Sequence, residues 1–241
     1  MKLSFAVCVS DTEILAANLM LSPCLTHDSD HQLILVHNCH NAAEGFNRGM
    51  TLASGDIIVF VHQDVFLPAG WDKRFISGFV EARNQMSAEV VGVYGLSAPK
   101  GGGKPLQLGM VNDRGKWLRG TMPLPARAQS LDELLFAVPR GSSLKLDPDL
   151  GFDLYAIDLV LQAEARGGCG AVVEAPCEHR SSLPRAKIPR STIERFRKSA
   201  LAFEQKWASR LPLETPCIKF DASLPVAERI EEIIREVGSS D

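Results

Sequence analysis

The sequence has no apolar run longer than a handful of residues, no excess of positive charge and no C-x-x-C pair. The first absence excludes a helix that spans a bilayer. The second, a net charge of −3, argues against a nucleic-acid partner held through phosphate contacts. The third removes the short ligand spacing of a structural zinc site. Six cysteines (Cys8, Cys24, Cys39, Cys169, Cys177 and Cys217) are scattered along the chain, so free thiols in a reducing, cytoplasmic compartment are expected. No cleavable signal pattern precedes the strand-like LSFAVCV of residues 3–9, which points to the same location. There is no internal repeat and no low-complexity segment. Gly101-Gly102-Gly103-Lys104-Pro105 looks like a phosphate cradle, but proline stands where a P-loop needs serine or threonine. It reads as a flexible loop.

What is present is an ordinary globular composition: 241 residues, 45% hydrophobic and 23% charged, enough for one large domain with or without a short appendage. Leu3 to Val9 reads as a strand, and Ser10 or Asp11 can cap a helix running to about Leu21. A second strand, Gln32 to Val36, leads into His37, Asn38, Cys39, His40 and Asn41. Asn41 then opens a helix over Ala42 to Ala53, with an apolar stripe at Ala43, Phe46, Met50 and Ala53. The next segment, Ile57 to Val61, is unbroken apolar sequence, as in a strand buried on both faces of a parallel sheet. Strand, helix, strand, helix, strand with right-handed crossovers makes a three-layer α/β sheet whose mouth lies at Ser10, Asn38 and His62.

His62, Gln63 and Asp64 follow the central strand at once, at the edge where open α/β sheets bind ligands. A carboxylate there can hold a hard divalent cation against a phosphate, or merely cap the next turn. Beyond it, Trp71, Phe75 and Phe79 mark a helix, Val90 to Gly95 a strand, and Leu106 to Val111 with Lys116 to Arg119 a hairpin around Asn112-Asp113-Arg114-Gly115. Leu134 to Val138 reads as a strand, Tyr155 to Arg166 as a helix closed by Gly167-Gly168, and Ala171 to Glu174 as the last sheet strand before Cys177-Glu178-His179. The chain then turns basic from Arg180 to Lys198. Ser191 and Glu194 form a capping box for a helix to about Ser209, and Pro225 to Val237 forms an amphipathic terminal helix.

The succession NAAEGFNRGMTLASGDIIVFVHQDVFLPAGW, SLDELLFAVPR, LDPDLGFDLYAIDLVLQAEARGG, CEHRSS and FEQKW resembles the family-2 glycosyltransferases. The resemblance is closest to a bacterial glycosyltransferase-like subgroup with an HQDV element, and it covers roughly Leu3 to Leu211. It implies a three-layer GT-A fold with a mostly parallel central sheet and helices on both faces. Residues 1–211 would form the domain, about 1–95 the nucleotide-binding half and about 96–211 the acceptor half, with 212–241 as linker and amphipathic helix. It also implies transfer of a sugar from a nucleotide diphosphate donor to an acceptor hydroxyl, with inversion and a divalent cation, Mn or Mg. A GT-A-like protein that binds a nucleotide sugar without transferring it is the alternative. The acceptor would be a glycan, a lipid-linked molecule or a protein, and a homo-oligomer is compatible with the terminal helix.

Carried over by position, His62-Gln63-Asp64 stands at the family's Asp-x-Asp motif, with Asp64 meeting the metal and His62 in place of the first acid. His179 matches a histidine that supplies a further metal ligand in some members. Asp158 falls at the acidic position of the catalytic base, with Asp153 in reserve and helix capping as the alternative for either. Asn38 stands at the base-contacting position after the second strand. Ser10, Asn47, Arg48 and Gln63 are expected on the donor, and Arg180 and Arg185 on its diphosphate.

Overall fold

The computed structural model describes residues 1–26, 29–99, 103–181, 188–221, 223–237 and 239–240. In chain order it holds β1 (Leu3–Val9), α1 (Thr12–Ala17), β2 (Gln32–His37), α2 (Ala42–Leu52), β3 (Ile57–Val61), β4 (Val65–Phe66) and α3 (Trp71–Met86). Then come β5 (Ala88–Gly92), β6 (Tyr94–Leu96), β7 (Gln107–Asp113), β8 (Lys116–Arg119), β9 (Ala126–Ala128), β10 (Ser130–Leu131), β11 (Leu135–Pro139) and α4 (Tyr155–Glu164). The rest is β12 (Cys169–Val172), β13 (Cys177–His179), β14 (Ile188–Pro189), α5 (Arg190–Lys206), β15 (Leu213–Glu214), β16 (Lys219–Phe220), α6 (Val226–Val237) and β17 (Ser239–Ser240).

The main sheet has seven strands in the order β2-β1-β3-β11-β5-β12-β9. β2, β1, β3, β5 and β12 run one way; β11 and β9 run the other. Alternation along the strands assigns the layers. Phe5, Val7, Ile57, Val59 and Val61 pack with Leu15 of α1 and Trp71, Phe75 and Phe79 of α3. Ala6, Ile58 and Phe60 face Phe46 of α2 and Tyr155 and Leu159 of α4. The three layers expected of the sequence are therefore present. A third apolar cluster joins the outer side of α4 (Ile157, Leu161) to α5, the β15–β16 pair and α6 through Phe203, Phe220, Val226 and Ile230.

A second sheet, β10-β6-β7-β13-β4 with β8 on β7, lies at the carboxyl end of β3. It carries the site. β13 pairs with β4 so that His179 lies opposite Val65, the residue after Asp64, and pairs with β7 so that His179 lies beside Asp113. The β7–β8 turn, with Arg114 and Gly115 at φ of 50° and 82°, is the expected hairpin.

Several elements differ from expectation: the single strand expected over Val90 to Gly95 is two, β5 and β6, in different sheets, the strand expected over Ala171 to Glu174 is Cys169–Val172, and α5 ends at Lys206. α1 ends at Ala17, because the Asn18 side chain donates to the Ile14 carbonyl at 2.8 Å and the chain continues in short 3-10 turns. α5 begins at Arg190, after Pro189, with no side-chain cap, so the Ser191–Glu194 capping box does not form. Asp11 and Asn41 do cap, accepting from Glu13 and Ile14 in α1 and from Glu44 in α2. All six cysteines are free. Among the described residues no helix is long and apolar enough to cross a membrane.

Candidate active site

The chain leaves β3 at Val61, and the next residues turn sharply: the Val65 amide donates to the His62 carbonyl at 3.3 Å, and β4 runs out to meet β13. This turn aims His62 and Asp64 at His179. Each of the three offers one ligand atom, and these atoms lie within 4.8 Å of one another. His179 Nε2 stands 3.4 Å from Asp64 Oδ1, and its Nδ1 bonds Asp113 Oδ1 at 2.9 Å. The far carboxylate fixes the ring and directs Nε2 inward, as outer partners of metal-bound histidines do. Asp64 Oδ1 is buried and has no hydrogen-bond partner. Such an oxygen is costly unless something positive sits against it, either the protonated His179 ring 3.4 Å away or a cation in the proton's place.

Electrostatics agree with that arrangement. Burial pushes His62 down to about 4, so its imidazole is neutral near pH 7. His62 Nε2 lies 2.9 Å from the Tyr155 hydroxyl; a ring donating there keeps its Nδ1 lone pair for a cation. Burial opposes the charged forms of Asp64 and His179, but each favours the other's charge more strongly. The Asp64 carboxyl is lowered and the His179 imidazole raised. The donor set of two imidazoles and a carboxylate suits Mn²⁺-like transition ions better than Mg²⁺, which prefers oxygen ligands.

Of the other residues singled out in the sequence, Gln63 and Arg180 adjoin the cluster along the chain, and Ser10 and Asn38 lie at the neighbouring strand ends. Gln63 Oε1 accepts from the Ser10 and Asp11 amides at 3.0 and 3.1 Å, and its Nε2 donates to Ser10 Oγ at 2.9 Å. It thereby clips the ends of β1 and β3 together. Val9 pairs with His37, so Ser10 and Asn38 emerge from adjacent strands; Asn38 is exposed, at φ 56°. Arg180 is exposed beside the cluster, its amide on the Asp64 carbonyl at 2.8 Å and its guanidinium paired with Glu178 and stacked 4.2 Å from the Phe66 ring. Two do not converge. Asn47 spends its amide on the Leu146 backbone, at 2.8 and 3.1 Å, and ties α2 to the segment before α4. Arg48 is exposed on α2. Neither lines the cavity at the cation cluster. Arg185 lies outside the described residues.

Solved structures similar to this fold include sugar transferases. The mannosyltransferase PcManGT of Pyrobaculum calidifontis, in complex with GDP-Man and Mn²⁺, superposes with a TM-score of 0.51 over 86% of this chain and 63% of its own, at 12% identity. The fold is of the GT-A type. Glucosyl-3-phosphoglycerate synthase of Mycobacterium tuberculosis, with Mg²⁺ and UDP, reaches 0.49 at 14% identity over 85% of this chain and 79% of its own. TarS of S. aureus reaches 0.48 at 11% identity over 85% and 40%. This chain spans 63% of the mannosyltransferase's length. No protein-family model matches the chain, and neither does any curated protein.

Within this GT-A frame a cavity of about 670 Å³ opens from the cation cluster toward α4 and α5, lined by His62, His179, Asp132, Glu133 and Asp153. Asp158 is not in it, which corrects the expectation that Asp158 is the base. The Asp158 side chain is 0% exposed, because α4 turns it toward the end of α5. Its oxygens accept from Gln162 Nε2 at 2.7 Å and Trp207 Nε1 at 2.8 Å, and Lys206 Nζ pairs with it at 2.7 Å. A carboxylate so enclosed has no route to an acceptor hydroxyl. Asp153 does enter the cavity, presented by a turn in which Leu154 adopts φ 66°, but Arg195 holds it at 3.1 and 3.2 Å and Ser199 Oγ at 3.3 Å. No local pattern marks Glu133, which reads as a turn residue before a strand. Its amino-acid type and its place after β10 become informative only once α4 is seen to pack over it.

Proposed function

We propose that the protein is a glycosyltransferase that moves a sugar from a nucleoside diphosphate donor to an acceptor hydroxyl. The observation that carries this reading is the convergence of Asp64, His179 and His62 at the carboxyl end of β3, with a buried Asp64 oxygen lacking a hydrogen-bond partner. These three residues would hold a divalent cation. When bound, such an ion neutralises charge that grows on a departing diphosphate. Asp113 orients His179, and Tyr155 orients His62. Ser10 and Asn38, at the ends of β1 and β2, form the edge on which a nucleotide would lie, and Arg180 adds positive charge beside Asp64. A single base in the adjoining cavity and a direct displacement would give inversion. A location in the cytoplasm suits the unbridged thiols.

The test is a thermal-shift titration with UDP and GDP, each with and without Mn²⁺, followed by nucleoside diphosphate release from UDP- and GDP-sugars. Wild type should be stabilised by one nucleotide only when Mn²⁺ is present, by about 3 kcal/mol at a hundredfold excess over Kd. Asp64→Asn should abolish that response. The response should also shrink on acidification: a proton on His179, held more tightly than on an ordinary histidine, competes with the ion, so affinity rises with pH. A nucleotide response independent of metal in both proteins would remove the cation site. Stabilisation without sugar release would leave a nucleotide-sugar-binding protein.

A further inference from the structure

The transfer assigned above needs a proton acceptor, and several carboxyl groups line the cavity. Two of the five, Asp113 and Asp153, are already committed to a cation, and Glu214 lies at the far end on β15. Asp113 is paired with His179 and Arg114, and Asp153 with Arg195. Asp132 Oδ1 closes its own turn on the Leu134 amide at 3.0 Å and lies toward His179 and Asp113, at the metal end. Glu133 differs. It lines the same cavity, and among the described residues it has no ion pair with a lysine, arginine or histidine. Its Oε1 accepts from the Ala156 amide at 3.4 Å, so the first turn of α4 fixes where the carboxyl stands.

We propose that Glu133 accepts the proton of the attacking hydroxyl, with Asp153 held beside it by Arg195. This rests on the transferase reading and deepens it. In the step, the acceptor oxygen bonds to the anomeric carbon while the bond from that carbon to the diphosphate oxygen breaks. The electron pair of the broken bond leaves on the diphosphate, and the hydroxyl proton passes to the Glu133 carboxylate. Burial, then the Asp153 and Asp132 carboxylates, push Glu133 well above the ordinary glutamate range. A carboxylate of raised proton affinity binds the hydroxyl proton more tightly than a salt-bridged aspartate does. The charged and titratable groups around it are Asp132 in its own turn, Asp153 and Tyr155 at the start of α4, Arg195 of α5 behind Asp153, and His62 and His179 in the same cavity.

The experiment uses the full chain with Mn²⁺ and a panel of UDP- and GDP-sugars, water serving as acceptor, and follows nucleoside diphosphate release against pH. Glu133→Gln should keep the metal-dependent nucleotide stabilisation and lose about 10²- to 10⁴-fold in release. In wild type kcat/KM should fall on the acid side, and Asp153→Asn should move that limb to lower pH by removing the neighbouring charge. Should Glu133→Gln not melt cooperatively, Glu133→Asp replaces it, with release expected at least about tenfold lower and the acid limb retained. Release within about threefold of wild type in either Glu133 variant overturns the assignment. So does a loss confined to Asp153→Asn or Asp132→Asn. A wild type with no nucleotide response instead removes the transferase reading itself, which keeps the two failures apart.

Discussion

At Asp158 a single carboxylate gathers an indole N–H, a side-chain amide and an ammonium group inside the protein. Lys206 shares its charge with Asp147 as well, and although burial opposes that charge, the two carboxylates together raise the lysine above its ordinary value. Removing one partner of such a pair leaves the others desolvated and unmatched. Asp158→Ala should therefore cost about 2–4 kcal/mol in urea unfolding, with the Mn²⁺-dependent nucleotide response of the folded protein unchanged. Loss of that response in a protein that still folds would return Asp158 to the site. From sequence, an acid in the first turn of a helix looks the same whether it faces a cavity or the next helix. Helical spacing fixes which residues share a face with Asp158, but not which face α5 covers. His62, Asp64 and His179 were legible for the opposite reason: a strand end has one direction, and whatever follows it lies at the sheet's mouth.

The elements nearest the amino terminus were the easiest to read, since buried parallel strands and capped helices leave strong local patterns in β1, β2, α2 and β3. The β11 strand was visible as a strand but not as the antiparallel insert between β3 and β5, because pairing partners are a non-local property. Gly55 shows how tightly the α2–β3 joint is built. A methyl group there would stand 2.7 Å from the Lys2 carbonyl oxygen and 2.8 Å from the Leu3 carbonyl carbon. Both are backbone atoms of β1's start, and they cannot swing aside. The Gly55 amide also donates to Ser4 Oγ at 2.8 Å, which pins the same joint. Gly55→Ala should lower stability by about 1–3 kcal/mol, read as a drop in the denaturation midpoint with an unchanged slope. Unchanged stability would mean that β1 and the α2–β3 turn move apart more readily than this packing allows.

Across the whole molecule the two halves of the site rest on different supports. The cation cluster hangs on β3, β4, β7 and β13, whose register puts His179 beside Asp113 and opposite Val65. The proposed base stands in the β10–β11 turn against the first turn of α4, and α4 is braced from outside by α5 and α6 through Ile157, Leu161, Phe203, Val226 and Ile230. Arg195, which holds Asp153, belongs to α5, and Arg197 of the same helix pairs with Glu231 of α6. In the proposed transfer the terminal helix would act on the base end, where its Ile230, Ile233 and Ile234 line the cavity. A chain ending at Asp221 loses Val226 and Ile230 from the third cluster and frees the outer face of α5, a loss of about 2–5 kcal/mol from the two buried side chains if the cluster relaxes only partly. Such a chain should keep its Mn²⁺-dependent response to nucleotide while nucleoside diphosphate release falls at least about tenfold, as Asp153 and α4 lose their brace. Equal loss of both would place the terminal helix under the cation site too, and full retention of release would show that α5 holds Asp153 unaided.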